Sequence, residues 1–426
     1  MSGPVANNVF RSSGVIASAA GGLSWQSVVT ASTVTVSAGN GYPINTTSNT
    51  CTITLPSSAE AGDQIIFLDY ARTWGTNKII IDSNGLNYQG QDDSYTVDYD
   101  TDGQTVSIIY ADATQGWIPE SDVDVTDAPT PPPTQKGIFA YGLAGGPQLS
   151  MSNLINSSGV VATDTSGVGT ARNNLGAASY GGDKAIYGYG YAGDNSGVSL
   201  TNLVSNSGVI AADVTGVGTT RHSLAAAGYG TDKAIFGYGL TTPHPAYLSL
   251  TNLVSNSGVV ATDVTGVGTA RSYLAAATYG DDKAIFGYGE NASSATLSMT
   301  NLVSSSGVVA ADVSGVGSGR NLLAAASFGS SGQAIFGYGD TGSLTAITNL
   351  VSNTGVVATD TTGVGTVRKN LAATNYGGDK AIFGFGTLPT VSITNLVSNS
   401  GVVASDTTGV GTARWGLKGA GYSTSA

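Results

Sequence analysis

Charged side chains make up only 10% of the 426 residues, so those that recur at fixed positions stand out. Arginines fall at Arg172, Arg221, Arg271, Arg320, Arg368 and Arg414, with successive spacings of 49, 50, 49, 48 and 46 residues. An aspartate stands eight residues before each one: Asp164/Arg172, Asp213/Arg221, Asp263/Arg271, Asp312/Arg320, Asp360/Arg368 and Asp406/Arg414. Cation and carboxylate together could bind an anion or orient a nucleophile. A catalytic site is ordinarily asymmetric, however, and a device repeated six times reads as structural. Ion pairs or hydrogen bonds that fix the turns between units are expected. Loss of one partner would cost about 3–5 kcal/mol if buried and about 0–1 kcal/mol if exposed.

Other reactive types are sparse. His222 and His244 are the only histidines, which leaves no Ser/His or metal-ligand constellation of useful size. Gly188-Tyr-Gly-Tyr-Ala-Gly193 has the spacing of a dinucleotide loop and follows a strand pattern, but no helix pattern follows it and the neighbouring copies break it. Its glycines read instead as places where strands bend or neighbours approach. Asp98-Tyr-Asp-Thr-Asp102-Gly103 opens like a calcium loop, yet Ile109 stands where an EF-hand needs a bidentate glutamate. A hairpin turn at Asp102-Gly103 explains it as well, and no metal is assigned. Cys51, the only cysteine, excludes an intramolecular disulfide and a thiolate cluster and reads as a small buried hydrophobe. Beyond the repeated acids, the repeat region offers only Asp194, Asp281, Glu290 and Asp340 in addition to the turn acids. Neither an enzyme nor a cofactor site is expected.

The elements behind these residues repeat with them. A period of 40–50 residues with several short strands per unit is the sequence sign of a propeller or solenoid. In one unit the strands read Leu274–Tyr279, Lys283–Tyr288, Leu297–Val303 and Val308–Asp312, and Gly315-Val-Gly317 crosses to the next. Four antiparallel strands are the content of a propeller blade. The second strand occurs six times, from Lys136, Lys184, Lys233, Lys283, Gln333 and Lys380. The first unit lacks a strand before Lys136, while Arg414–Tyr422 is left over at the end. The simplest arrangement is a six-bladed β-propeller closed by the C-terminal strand, which leaves no ragged edge. Ala-Ala-Ala in the first strand suits the narrow axis.

Ahead of the repeats, residues 1–24 read as an N-terminal arm. Residues 25–120 carry six or seven short alternating strands and read as a β-sandwich-like domain. Residues 121–135, with Pro129-Thr-Pro-Pro-Pro133, form a stiff linker, and 136–426 the propeller. The fold class is therefore all-β. Residues 1–135 carry 3 basic and 14 acidic residues, and residues 136–426 carry 13 and 14, nets of −11 and −1. Neither half offers the basic face that nucleic acid requires. Arg11 and the short apolar Val15–Ala20 do not make a signal peptide, and no stretch is long enough to insert in a membrane.

Two resemblances rest on quoted residues. Leu55-Pro-Ser-Ser, Ala61-Gly-Asp63, Asp69-Tyr70, Asn84-Gly85, Gln89-Gly90, Asp102-Gly103 and Ala113-Thr-Gln-Gly-Trp117 resemble a β-domain of fibre and appendage proteins of tailed bacteriophages. The arrays of Asn-Leu-Val-Ser-Asn, Gly-Val-Gly-Thr-Ala-Arg and Lys-Ala-Ile-Phe-Gly-Tyr-Gly look like virion proteins of phages that infect marine cyanobacteria. The units are similar to Kelch repeats in fold only, lacking the double glycine and the fourth-strand tryptophan. The resemblance implies a virion protein made in the host cytoplasm, a homo-oligomer with a trimer favoured, whose N-terminal domain docks to other virion proteins. A tail fibre or appendage that binds a host-surface glycan or protein is the leading expectation. A capsid decoration, head-fibre or neck protein with a purely structural propeller is the alternative, and a polysaccharide hydrolase ranks last. Recognition would fall to loops that differ between copies, one face of a rigid frame being the usual place for it. Candidate ligand residues there are Tyr191, Asp194, Asn195, His244, Tyr247, Glu290 and Asp340.

Overall fold

Short runs of β-branched and aromatic residues punctuated by Gly, Asn and Pro favour strands over helices. In the computed structural model every named element is a strand, and the residues it describes are 23–91, 97–120, 134–193, 197–243 and 246–425. The protein is all-β. The chain divides into two compact units, Met1–Pro132 and Pro133–Ala426.

The first unit contains β1 (Ser24–Trp25), β2 (Thr33–Thr35), β3 (Asn40–Ile44), β4 (Cys51–Thr54), β5 (Gln64–Asp69), β6 (Ile79–Asp82), β7 (Val97–Tyr99), β8 (Thr105–Asp112) and β9 (Gly116–Pro119). They form two sheets, ordered β1-β3-β5-β8-β9 and β2-β4-β6-β7. From β1 to β6 the strands alternate between the sheets, so β1, β3 and β5 pair in parallel, as do β2, β4 and β6. Inward positions such as Ile44, Ile53, Phe67, Ile81, Ile108 and Trp117 fill one core between them. Cys51 is buried in β4. One expectation is corrected here. Asp102-Gly103 is not a hairpin turn, because β7 pairs with β6 in one sheet and β8 with β5 and β9 in the other. The turn is a crossover, pinned by Gly75 N–H donating to Asp102 Oδ1 at 2.7 Å and Gly103 N–H to Asp69 Oδ2 at 2.8 Å. Asp98 is ion-paired with Lys78.

The second unit opens with β10 (Lys136–Ala140) and β11 (Ser152–Ile155). Five triplets follow: β12 (Gly176–Tyr180), β13 (Lys184–Gly188) and β14 (Thr201–Val204); β15 (Ala225–Tyr229), β16 (Lys233–Leu240) and β17 (Tyr247–Val254); β18 (Ala275–Tyr279), β19 (Lys283–Gly287) and β20 (Thr300–Val303); β21 (Ala324–Phe328), β22 (Gln333–Asp340) and β23 (Leu344–Val351); β24 (Ala372–Tyr376), β25 (Lys380–Gly384) and β26 (Thr394–Val397). The last strand is β27 (Lys418–Tyr422). Each triplet is an antiparallel three-stranded sheet, and a sixth sheet has the order β11-β10-β27. Lys136–Ala140 pairs with Tyr422–Lys418 in the register by which β13 pairs with β12.

The expected fourth strand is not a continuous one. It meets the third strand only at isolated bridges, Val204↔Ile210 and Thr201↔Val214 in one unit and Val303↔Val309 and Thr300↔Val313 in another. Asn202 explains the gap: its side chain donates to Ala211 O and Asp213 Oδ1, filling the space where a ladder would run.

Two circuits of backbone hydrogen bonds tie the six sheets together. In the first, Ser223 N–H donates to Asn174 O, Tyr273 to Ser223, Leu322 to Tyr273, Asn370 to Leu322, Gly416 to Asn370, and Asn174 back to Gly416, all at 2.7–2.9 Å. These six residues have φ of 52–65°, a left-handed conformation that non-glycine residues adopt only when surroundings enforce it. In the second, the turn after each innermost strand bonds to the next sheet: Gly181 to Asp232, Gly230 to Asp282, Gly280 to Gly332, Gly329 to Asp379, Gly377 to Gln135 and Ser423 to Asp183.

Candidate functional site

The Gly-Tyr-Gly segment sets up the environment of each repeated arginine. At the first glycine a side chain would strike the neighbouring sheet: a Cβ on Gly237 would lie 2.7 Å from Phe286 Cζ. The tyrosine then takes φ of 61–66° in every copy, Phe385 replacing it in the last. That turn aims its ring at an arginine of the adjoining unit. Arg221 lies 4.1 Å over the Tyr189 ring, and the other five sit 4.2–4.5 Å over theirs.

All six arginines are fully buried. Arg221 donates from Nε to Tyr238 O at 2.9 Å, from Nη1 to Thr219 O at 3.1 Å and from Nη2 to Asn252 Oδ1 at 2.7 Å. Asn252 Nδ2 donates in turn to Asp263 Oδ1 at 2.9 Å, and Asp263 Oδ2 accepts the Thr219 hydroxyl at 2.7 Å. The expected pairing is therefore corrected. Asp263 serves Arg221, not Arg271, and likewise the ion partners are Arg172–Asp213, Arg271–Asp312 and Arg320–Asp360 at 3.7–4.0 Å. Asp406 faces Arg368, and Asp164 faces Arg414 at 3.8 Å. The seven residues between an aspartate and the next arginine run through the Gly-Val-Gly crossover, which carries that arginine on to the following sheet.

Burial pushes these arginines below their ordinary range, Arg414 to about 10, against the aspartate charge. Burial acts to raise Asp263 too, but the Thr219 and Asn252 hydrogen bonds and the Arg221 charge outweigh it and hold the carboxyl below its ordinary value. In the Arg221 copy the guanidinium, the Asn252 amide and the Asp263 carboxylate are all engaged within the protein, whereas Arg271 Nε, Arg320 Nη2 and Asn349 Oδ1 are buried without a partner in theirs; the network is a buried clamp between units.

The side chains that differ between copies gather at one rim. The residue after each arginine bridges the residue after each Gly-Tyr-Gly: Asn173↔Tyr191, His222↔Leu240, Ser272↔Glu290, Asn321↔Asp340, Lys369↔Thr387 and Trp415↔Leu143. Tyr247 Oη donates to Glu290 Oε1 at 3.1 Å, and Asn321 Nδ2 donates to Glu290 Oε2 at 2.5 Å. Lys369 Nζ donates to Asp340 Oδ2 at 2.7 Å and, with help from the Gly342 N–H, holds that carboxyl below its usual range. Tyr191 packs edge-on to His222, with centroids 5.5 Å apart. His222 Nδ1 lies 2.8 Å from Ser223 Oγ, and burial lowers its pKa. Of the candidate ligand residues, Tyr247 and Glu290 are thus brought together, while Tyr191 and Asp340 stand elsewhere on the rim. Asp194, Asn195 and His244 lie outside the described residues.

Sequence reasoning missed the position immediately after the arginine, occupied by Asn173, His222, Ser272, Asn321, Lys369 and Trp415. The signal was there: five residue types over six copies, flanked by an invariant arginine and, two places on, an invariant leucine. No group of acids, histidines and cysteines among the described residues could hold a metal ion. The chain matches no protein-family model and no curated protein.

Proposed function

We propose that residues 136–426 are a six-bladed β-propeller and that the chain is a virion protein of a tailed bacteriophage, a fibre or appendage whose rim recognises the host surface. Support for the propeller comes from six similar sheets linked by two hydrogen-bond circuits, with the last strand paired into the first sheet. The observation that carries recognition is the gathering of non-repeated side chains, charged, amide and aromatic, onto one rim of an otherwise repeated frame. Their polarity suits a glycan or a polar protein surface. The virion assignment rests on the sequence resemblance, as do the docking role of the N-terminal domain and the trimer. Full-length protein should bind host cells or an array of host-envelope glycans, and Trp415→Ala with Lys369→Ala should weaken that binding without lowering the melting temperature. Unchanged binding by the double variant would remove the rim from the account.

The second reading is a capsid decoration, head-fibre or neck component. One observation favours it: Val160, Val209, Val259, Val308, Val356 and Val402 are each 61–66% exposed, a repeated apolar ring suited to packing against other subunits. Imaging labelled protein on particles separates the two readings, and release of sugar from host polysaccharide would point instead to a hydrolase.

A further inference from the structure

Two departures from the repeat meet in one groove. In four sheets the lysine that begins the second strand is ion-paired with the aspartate before it, at 2.5–2.8 Å for Lys184, Lys233, Lys283 and Lys380. Gln135 stands in that place before Lys136, and the Lys136 ammonium has no ion pair or hydrogen bond among the described residues. The second departure is Asn156. Its counterparts Ser205, Ser255, Ser304, Ser352 and Ser398 each engage a hydroxyl two residues on, at 2.8–2.9 Å. Asn156 instead accepts the Ser158 and Val160 N–H groups on Oδ1, at 3.0 and 2.9 Å, which leaves its Nδ2 without a partner among the described residues.

Lys136 and Asn156 both line a groove of about 380 Å³ between the first sheet and the turn that carries Asn206 and Ser207. That size falls within the range of small-ligand sites. Leu154, Ile155, Val160 and Ala162 make the apolar part of its lining, and no acid lines it. Asn206, on the facing turn, donates to Asp183, whose carboxylate is already paired with Lys184. The groove thus offers two unpartnered donors, one of them charged, beside aliphatic side chains. A carboxylate answers both donors, and charge-assisted hydrogen bonds of this kind are the stronger ones. The aliphatic lining calls for an apolar side chain on the same residue as the carboxylate. Internal aspartate and glutamate do not combine the two, but the last residue of a polypeptide does when its side chain is aliphatic. The groove lies at the Lys136 end of β10, away from the rim that follows Tyr141, so it does not depend on the host-recognition reading.

We propose that this groove docks the C-terminal end of a partner polypeptide whose last side chain is aliphatic, its carboxylate held by Lys136 and Asn156. N-acetyl-alanyl-leucine is the probe, and its C-terminal amide is the control. Titrated into the full chain, the acid should shift the Leu154 and Val160 methyl resonances, and the amide should bind about tenfold more weakly. Lys136→Gln and Asn156→Ser should each weaken binding of the acid by a similar factor. Both variants install a residue that the repeat already uses at the equivalent position, Gln333 and the five serines, so they should fold and melt as the parent does. Equal affinity for acid and amide, no methyl shift in the groove, binding unchanged in both variants, or binding of acetyl-aspartyl amide as tight as that of the leucine acid would each overturn the proposal.

Discussion

Arg221 is a cation out of reach of water whose charge is balanced by geometry: an aromatic face, three hydrogen-bond acceptors and a carboxylate one residue removed. Asn252 is the hinge of that arrangement, accepting from the arginine and donating to Asp263. Asn252→Ala should therefore cost about 1–3 kcal/mol, the penalty of leaving a buried charged donor unsatisfied. A lowered urea midpoint at unchanged slope would show it. Asp282→Asn, which removes a largely exposed pair with Lys283, should cost under about 1 kcal/mol. The same network sets an acid limit. The six clamp aspartates have folded pKa values below the ordinary value of 3.8. Folding then binds fewer protons than unfolding, so their contribution is complete above about pH 4 and is lost as pH falls through the folded values. Urea midpoints taken down to pH 2 should drop, and Asp263→Asn should drop less steeply than wild type. At this scale the sequence disclosed which residues repeat but not who meets whom. Eight residues of spacing look like a local pair, and only the crossover between them shows that the partner lies one unit away.

The strands were mostly legible where alternation is clean. Cys51–Thr54, Gln64–Asp69 and the Lys-Ala-Ile-Phe strands lie where apolar and polar residues, or buried apolar runs, mark them. β3 was hidden by Pro43, which a central strand ordinarily excludes; it is tolerated because β1 pairs only with Asn40 and Gly41 and has ended before Pro43 is reached. β9 was hidden by its brevity and by the Gly116-Trp117 start. The outermost segment looked like a strand because Val-Val-Ala has strand propensity, but the buried Asn side chain takes the hydrogen bonds that a ladder would need. Between sheets, the close approach at the first glycine of Gly-Tyr-Gly is a sharp constraint. Gly287→Ala would place a methyl 2.8 Å from Phe336 Cζ and should destabilise by about 1–3 kcal/mol through overpacking, read from the shift in unfolding midpoint.

Across the second unit the sheets meet their neighbours through closely similar contacts, including the junction between the first sheet and that of β26, which joins the chain's two ends. Arg414 donates to Tyr141 O and Asn153 Oδ1, and Thr412 caps Asp164, as their counterparts do within the chain. Counting six second strands against a displaced last strand made the β10–β27 pairing readable from sequence. The two hydrogen-bond circuits were not readable, because they depend on backbone conformations that residues as different as Leu322 and Asn174 share. Deleting residues 414–426 removes β27 and breaks both circuits, so the truncated chain should become protease-sensitive and melt well below the full chain. Amide hydrogen exchange on the intact protein tests the closure most directly. Residues 136–140 and 418–422, with the Asn174 and Gly416 amides, should exchange as slowly as β15, β16 and the Ser223 and Tyr273 amides. Fast exchange confined to those residues, with the other five sheets protected, would show an open end and contradict the account.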